Sequence, residues 1–251
     1  MSFSIVIPAR HASTRLPGKP LHKITEKTLI QHVYECAARS DASEIIIATD
    51  DERIKAEAES FSANVCMTST EHGTGTDRLH EVVEKYNFPD DHIIVNLQGD
   101  EPLMPEEVIN QVAANLATHD SASAATVCTR ILTADDLFDP NVVKVVTDQA
   151  GFALYFSRAS IPWDRDHFAK HQTLPEFAEH YRHIGLYAYR AGFLRRFVSW
   201  PVCHHEKVES LEQLRILWHG EKIHVDIARK LPGPGIDTKE DLERVRQMFA
   251  N

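Results

Sequence analysis

The chain of 251 residues carries 27 Lys and Arg against 37 Asp and Glu, a formal net charge of −10. That balance argues against a nucleic-acid binder, whose partner needs a basic face. Hydrophobic content of 43% supplies a sizeable core, but no apolar run approaches the roughly 18 residues needed for membrane insertion.

Residues 3–8 read as a strand, ended by Pro8. The start "MSFSIVIPAR" has no cationic leader region, so it is not read as a signal peptide. A loop over residues 9–21 follows, with Arg10, Arg15 and Lys19 and no acid. "TLIQHVYECAARS" (28–40) has helical period, with Leu29, Ile30, Val33 and Ala37 on one face. Residues 43–49 predict a second strand, 50–61 a polar helix, 91–97 a buried strand, and 105–118 another helix. The alternation predicts an α/β fold: a mainly parallel twisted sheet flanked by helices. From about residue 140 the pattern turns strand-like in "NVVKVVTD", "GFALYFSR" and "HIGLYAYR". This predicts a β-rich insertion over roughly 140–200, inside a single domain spanning 1–251. A helix over 207–220, a strand over 222–228 and a closing helix over 239–249 complete the chain. Cys36, Cys66, Cys128 and Cys203 are widely spaced, with no C-x-x-C and no zinc spacing. The expectation is reduced thiols in a cytoplasmic protein.

Three stretches carry candidate chemistry. In the basic loop, Gly18-Lys19 imitates a P-loop, but Ser13 stands where that pattern needs Gly and Pro20 where it needs Ser or Thr. The side chains still suit a polyanion: Arg10 and Arg15 as bidentate forks, Lys19 as a point charge. The location suits one too, since open α/β sheets bind ligands beyond the carboxyl ends of their strands. A solvated basic loop is the plainer alternative. In "IIVNLQGDEPLMP" a buried strand runs into Gln98, Gly99 and Asp100. The Asp100 carboxylate suits Mg²⁺, although a turn or capping role also fits it. In "LPGPGIDTKEDLERV" Asp237 precedes a helix as an N-cap would, with Glu240 completing a box. Thr238 and Asp241 make an equally good box, which would leave Asp237 free for a metal.

Seven segments in one order then point to a family. They are "IPARHASTRLPGKPL", "EHGTGTDR", "VNLQGDEP", "ALYFSRASIPWDRD", "YRHIGLYAYR", "LEQLRILWHGEKI" and "PGPGIDTKEDLE". Together they resemble the bacterial cytidylyltransferases of 3-deoxy-manno-octulosonic acid (Kdo), which make CMP-Kdo for lipopolysaccharide. His11, Thr74 and Lys239 depart from the usual family residues without removing a charged site residue.

The resemblance implies a nucleotide-diphospho-sugar transferase-like fold and a set of roles. Pro8, Ala9, Arg10, Arg15, Lys19, Thr74, Gly75 and Arg78 would bind CTP, with Lys19 at the α-phosphate. Asp100 and Asp237 would hold Mg²⁺ and share the catalytic role with Lys19. Gln98, Arg158, His183, Tyr187, Glu212 and Gln213 would bind the sugar acid. It also implies a homodimer, with contacts in the 140–200 segment. On the residues alone, Tyr187 reads equally as core. Glu212 reads as a solvated acid at the edge of a stripe formed by Val208, Leu211, Leu214 and Trp218. "CHHE" (203–206) reads as surface, because adjacent histidines share no helix face. Two rival readings stand beside this one: a cytidylyltransferase for another sugar acid, such as a sialic acid or 8-amino-Kdo, and a non-catalytic nucleotide-binding scaffold.

Overall fold

The structure, a computed structural model, describes residues 2–12, 15–175 and 179–250, so Ser13 and Thr14 of the basic loop lie outside the described residues. Its elements in chain order are β1 (Phe3–Ala9), β2 (Lys23–Ile24), β3 (Lys27–Thr28), α1 (Leu29–Ala37), β4 (Glu44–Thr49), α2 (Glu52–Ser60) and β5 (Asn64–Met67). Then come α3 (Gly75–Lys85), β6 (Ile93–Asn96), α4 (Glu106–Thr118), β7 (Ala124–Arg130), α5 (Ala134–Phe138), β8 (Lys144–Thr147) and β9 (Ala153–Ser157). The chain closes with α6 (Arg165–Phe168), β10 (Tyr181–Arg190), α7 (Ala191–Phe197), α8 (His204–Glu209), α9 (Gln213–Trp218), β11 (Ile223–Ile227) and α10 (Lys239–Ala250).

Among the described residues nine strands form one sheet in the order β11-β7-β10-β6-β1-β4-β5, with β8 on β10 and β9 on β8. The pairs β1–β4, β1–β6, β4–β5 and β11–β7 are parallel, as the strand–helix alternation predicts. Their apolar runs are continuous because both faces are covered. Along β1, Phe3, Ile5, Ile7 and Ala9 pack with α1 and α4, while Val6 packs on the other face with α3 and α7.

The β-rich stretch expected over 140–200 is woven into this sheet. β10 runs antiparallel between β6 and β7, pairing Tyr187 with Asn96 and with Thr126. A bulge interrupts its pairing with β7 between Ile184 and Tyr187.

The helix expected over 207–220 is two helices. Ser210 takes a left-handed conformation (φ 51°) at the end of α8, and the chain restarts as α9. The break turns Val208 (69% exposed) and Trp218 (57%) outward, so the stripe that was to set Glu212 at a solvated edge does not exist as one face. It also corrects the surface reading of residues 203–206. Cys203 and Glu206 are buried, and Glu206 holds Arg215 bidentately at 2.5 and 2.7 Å. The Arg215 guanidinium lies 4.5 Å over the Phe197 ring.

Removing one partner of such a pair strands a buried charge. Arg215→Ala is therefore expected to lower the unfolding free energy in urea by about 3–5 kcal/mol. An unchanged midpoint would mean that Glu206 reaches water.

Candidate active site

Parallel neighbours β1 and β6 end at the same edge of the sheet, which puts the basic loop beside the turn Gln98–Asp100. The two exits cross closely. A Cβ on Gly99 would stand 2.8 Å from the Pro8 carbonyl oxygen, so only glycine allows this path. The third segment is drawn in by backbone hydrogen bonds. The Gly233 N–H donates to the Leu103 carbonyl (3.2 Å) and the Ile236 N–H to that of Asp100 (2.9 Å).

On this frame one ammonium joins two carboxylates that lie far apart in sequence. Lys19 Nζ donates to Asp100 Oδ2 at 2.6 Å and to Asp237 Oδ1 at 3.1 Å. Arg15 reaches the same Asp237 oxygen at 3.1 Å. Lys19 enters this position from the short 3-10 turn Lys19–Leu21, preceded by Gly18 in a left-handed conformation (φ 68°). Asp237 is available because Thr238 and Asp241 cap α10 between them. Thr238 Oγ1 accepts the Asp241 N–H, and Asp241 Oδ2 accepts the Thr238 N–H. Arg10 is exposed on the same loop.

Burial by itself would lower the Lys19 pKa, but Asp100 and then Asp237 outweigh it and hold the ammonium above its ordinary value. The Glu101 pKa is raised too, but there the shift favours the neutral form. Burial first, then the charges of Asp100 and Asp237, push its carboxyl up to about 8.

The Asp100–Asp237 pair fits Mg²⁺ on two grounds. Both carboxylates already converge on a cation, and hard oxygen donors are what this ion takes, commonly one or two carboxylates with phosphates for the rest. Among the described residues no cluster of three or more His, Cys, Asp or Glu offers a complete protein cage.

Beside this centre lie two cavities that share His183 and Gly185. The smaller, about 280 Å³, is walled by Gln98, His183, Tyr187, Glu212 and Gln213, five of the six residues expected on the sugar side. The larger, about 700 Å³, is bordered by Glu101, Arg182, Asp237 and Arg244. Burial drives the His183 imidazole down to about 3, so it meets any ligand as a neutral ring, braced by Phe156 and Tyr187. Tyr187 is both core and cavity wall, since its ring stacks on Tyr189 while its hydroxyl has no partner. Glu212 is half-buried. Burial raises its pKa against the opposing hydroxyls of Thr76 and Thr74.

Two expected residues are placed elsewhere. Arg78 is buried, pairing with Asp50 at 2.9 Å and donating to Thr68, so it braces α3 against the end of β4 instead of facing a nucleotide. Arg158 donates to the carbonyls of Glu209 and Pro140 at 2.6 and 2.8 Å and lines neither cavity. In each case a fixed local acceptor engages the guanidinium. Of the nucleotide set, Gly75 begins α3 in contact with Pro8 (3.6 Å for an added Cβ), above buried Ala9. Thr74 caps that helix in a box with Asp77. The T-x-x-D spacing of this box was the signal for α3, a helix the strand–helix pattern did not bring out. Sequence reasoning also missed Thr76, Asn96, Gly185 and Tyr189 in the smaller cavity, and Glu101 and Arg182 in the larger.

A family model described as "Cytidylyltransferase" matches residues 4–223. The chain is 57% identical over 250 residues to the 3-deoxy-manno-octulosonate cytidylyltransferase of Vibrio parahaemolyticus, covering 100% of this chain and 99% of that protein. It is 53% identical over 249 residues to the protein of that name from Coxiella burnetii, covering 99% of this chain and all of the relative. The chain belongs to the 3-deoxy-manno-octulosonate cytidylyltransferase family. A solved structure of CMP:2-keto-3-deoxy-manno-octonic acid synthetase complexed with CTP superposes with a TM-score of 0.89 at 40% identity, covering 99% of this chain and 98% of that one. A Leptospira borgpetersenii cytidylyltransferase, at 16% identity and a TM-score of 0.63, shares the fold.

In this family member Glu101 makes stability depend on pH. Its folded pKa, about 8, lies above the ordinary 4.5, so the folded protein keeps a proton that the unfolded chain releases. The stabilisation is complete below about 4.5 and disappears as the pH rises through 8. Metal-free wild type is therefore expected to lose urea stability relative to Glu101→Gln across that interval. A constant difference between the two would place the Glu101 carboxyl in water.

Proposed function

We propose that the protein transfers the cytidylyl group of CTP to Kdo, forming CMP-Kdo and pyrophosphate for lipopolysaccharide synthesis. The observation that carries this reading is the convergence of Lys19, Asp100 and Asp237 beside a polar cavity. It occurs in a chain 53–57% identical, over its whole length, to proteins named for that reaction.

The anomeric hydroxyl of Kdo attacks the α-phosphorus in line. An oxygen–phosphorus bond forms, the bond to the bridging oxygen of the β-phosphate breaks, and pyrophosphate leaves. Such chemistry asks the protein for positioning and charge, with no covalent nucleophile. Arg10 and Arg15, exposed at the mouth of the site, suit the outer phosphates. Lys19, less exposed and deeper in the site, suits the α-phosphate. Gln98, His183, Tyr187, Glu212 and Gln213 offer neutral and anionic partners to the sugar hydroxyls. Asp100 and Asp237 would hold Mg²⁺, which would neutralise charge on the phosphates and lower the pKa of the attacking hydroxyl.

The same reading includes a cytoplasmic homodimer. The four free cysteines are buried thiols, and no described helix is long and apolar enough to cross a membrane. Within the 140–200 segment, among the described residues, β9 pairs only with β8, and Leu154 (62%) and Trp163 (59%) are exposed apolar surface.

Pyrophosphate release, measured with CTP and a panel of sugar acids, tests the reading. The expected result is release with Kdo that stops in excess EDTA, and a loss of at least about 100-fold in turnover for Asp100→Asn and for Asp237→Asn. Release undiminished by EDTA would remove the metal from the scheme.

Lys19→Ala separates transition-state charge from ground-state grip. A charge on the reacting phosphate contributes most when charge builds there, so this variant is expected to lower kcat more than it raises KM for CTP. Arg10→Ala and Arg15→Ala are expected to raise KM more than they lower kcat. A Lys19→Ala enzyme altered only in KM would move Lys19 off the α-phosphate.

A further inference from the structure

Glu212 is the charged side chain in the wall of the smaller cavity, and its two oxygens have different surroundings. Oε2 accepts a hydrogen bond from Thr76 Oγ1 at 2.5 Å, across 136 residues of sequence. Oε1 is buried and has no hydrogen-bond partner among the described residues. Its nearby cation, Arg215, stands 4.0 Å away and is already engaged bidentately by Glu206. Two further buried atoms of the same wall, Asn96 Oδ1 and Tyr187 Oη, are likewise without partners. Leaving such groups unsatisfied is costly, so three of them around one cavity describe a site completed by a ligand rich in hydroxyls.

Thr76 is 3% exposed and sits in the first turn of α3, yet the helix does not use its hydroxyl. The N-cap is Thr74, boxed with Asp77. With capping complete, the Thr76 hydroxyl is free to reach across to Glu212. The same turn contains Gly75, packed on Pro8 at the exit of β1. One helical turn therefore touches both the basic loop's strand and the carboxylate of the cavity.

We propose that Thr76 is a positioning residue for the sugar acid. Its hydroxyl fixes Glu212 Oε2 and so aims Oε1 into the cavity as an acceptor for a sugar hydroxyl, alongside Asn96 and Tyr187. The inference rests on the reading that the sugar acid occupies this cavity. Without the Thr76 hydrogen bond the carboxylate loses the contact that fixes Oε2. It also loses one of the two hydroxyls that oppose the upward push of burial on its pKa, which favours a protonated group that donates where an acceptor is needed.

The test compares Thr76→Val, Thr76→Ser, Glu212→Gln and the Thr76→Val/Glu212→Gln double variant by steady-state pyrophosphate release, with CTP binding measured separately by calorimetry. Thr76→Ala replaces the valine variant if valine disturbs α3. Thr76→Val is expected to raise KM for Kdo at least about tenfold, the size of a lost hydrogen bond to a charged group, with CTP affinity unchanged. Thr76→Ser is expected to restore KM. In the Glu212→Gln background the valine substitution is expected to add less than about twofold, because the two residues act as one unit. An equal loss of CTP affinity, no rescue by serine, or independent effects of the two substitutions would overturn the positioning role. A wild-type enzyme that turns over CTP and Kdo normally beside an unchanged Thr76→Val would overturn that role alone. A wild type that releases no pyrophosphate with Kdo would overturn the assignment of the cavity itself.

Discussion

The bridge from Lys19 to Asp100 and Asp237 depends on three segments that share nothing in sequence but meet at one edge of the sheet. Two carboxylates this close repel one another, and burial makes the repulsion stronger. A cation between them reverses the sign, and that cation is the Lys19 ammonium. Next door, burial first and then the same two charges push the Glu101 carboxyl up to about 8.

The frame that brings these groups together is backbone geometry. Parallel pairing forces β1 and β6 to end on the same side, and the absence of a side chain at Gly99 lets their exits cross. The antiparallel β10 then reverses the direction of the chain at this edge. Its early residues, His183 and Gly185, and Tyr187 after the bulge, face the ends of the parallel strands. A bulge re-aims side chains where a regular strand would alternate them, and here it lies in the wall shared by the two cavities.

Electrostatic organisation extends outward from the cleft in layers. Arg215 is held bidentately by Glu206 and stacked on Phe197, and reaches Glu212 only at 4.0 Å. Arg78 is similarly committed to Asp50. These buried guanidinium groups set the shape around the site, whereas Arg10 and Arg15 of the basic loop are exposed, Arg15 with Asp237 as its partner. Charge alone does not distinguish the two settings. Burial does.

The sequence by itself determined β1, α1, β4, α2, β6 and α4, because continuous apolar runs and 3.6-residue periods are local signals. It also located the basic loop, the glycine turn before Asp100, and two equally good capping boxes at Asp237 and Thr238, since each rests on residues within a few positions of one another. The fold decided for Thr238 with Asp241. What only the tertiary structure decided involves partners distant along the chain. Ser210 breaks a segment that reads as one helix, and β10 enters the middle of the sheet in the reverse direction. Arg78 and Arg158 look like ligand cations in sequence, but their acceptors at Asp50 and at the carbonyls of Glu209 and Pro140 become apparent only on folding. Thr76 and Asn96 carry no charge to mark them, and their place in the cavity follows from where α3 and β6 end. A side chain's type states which interactions it is able to make; burial and the identity of its neighbours decide which one it makes, and those are properties of the fold.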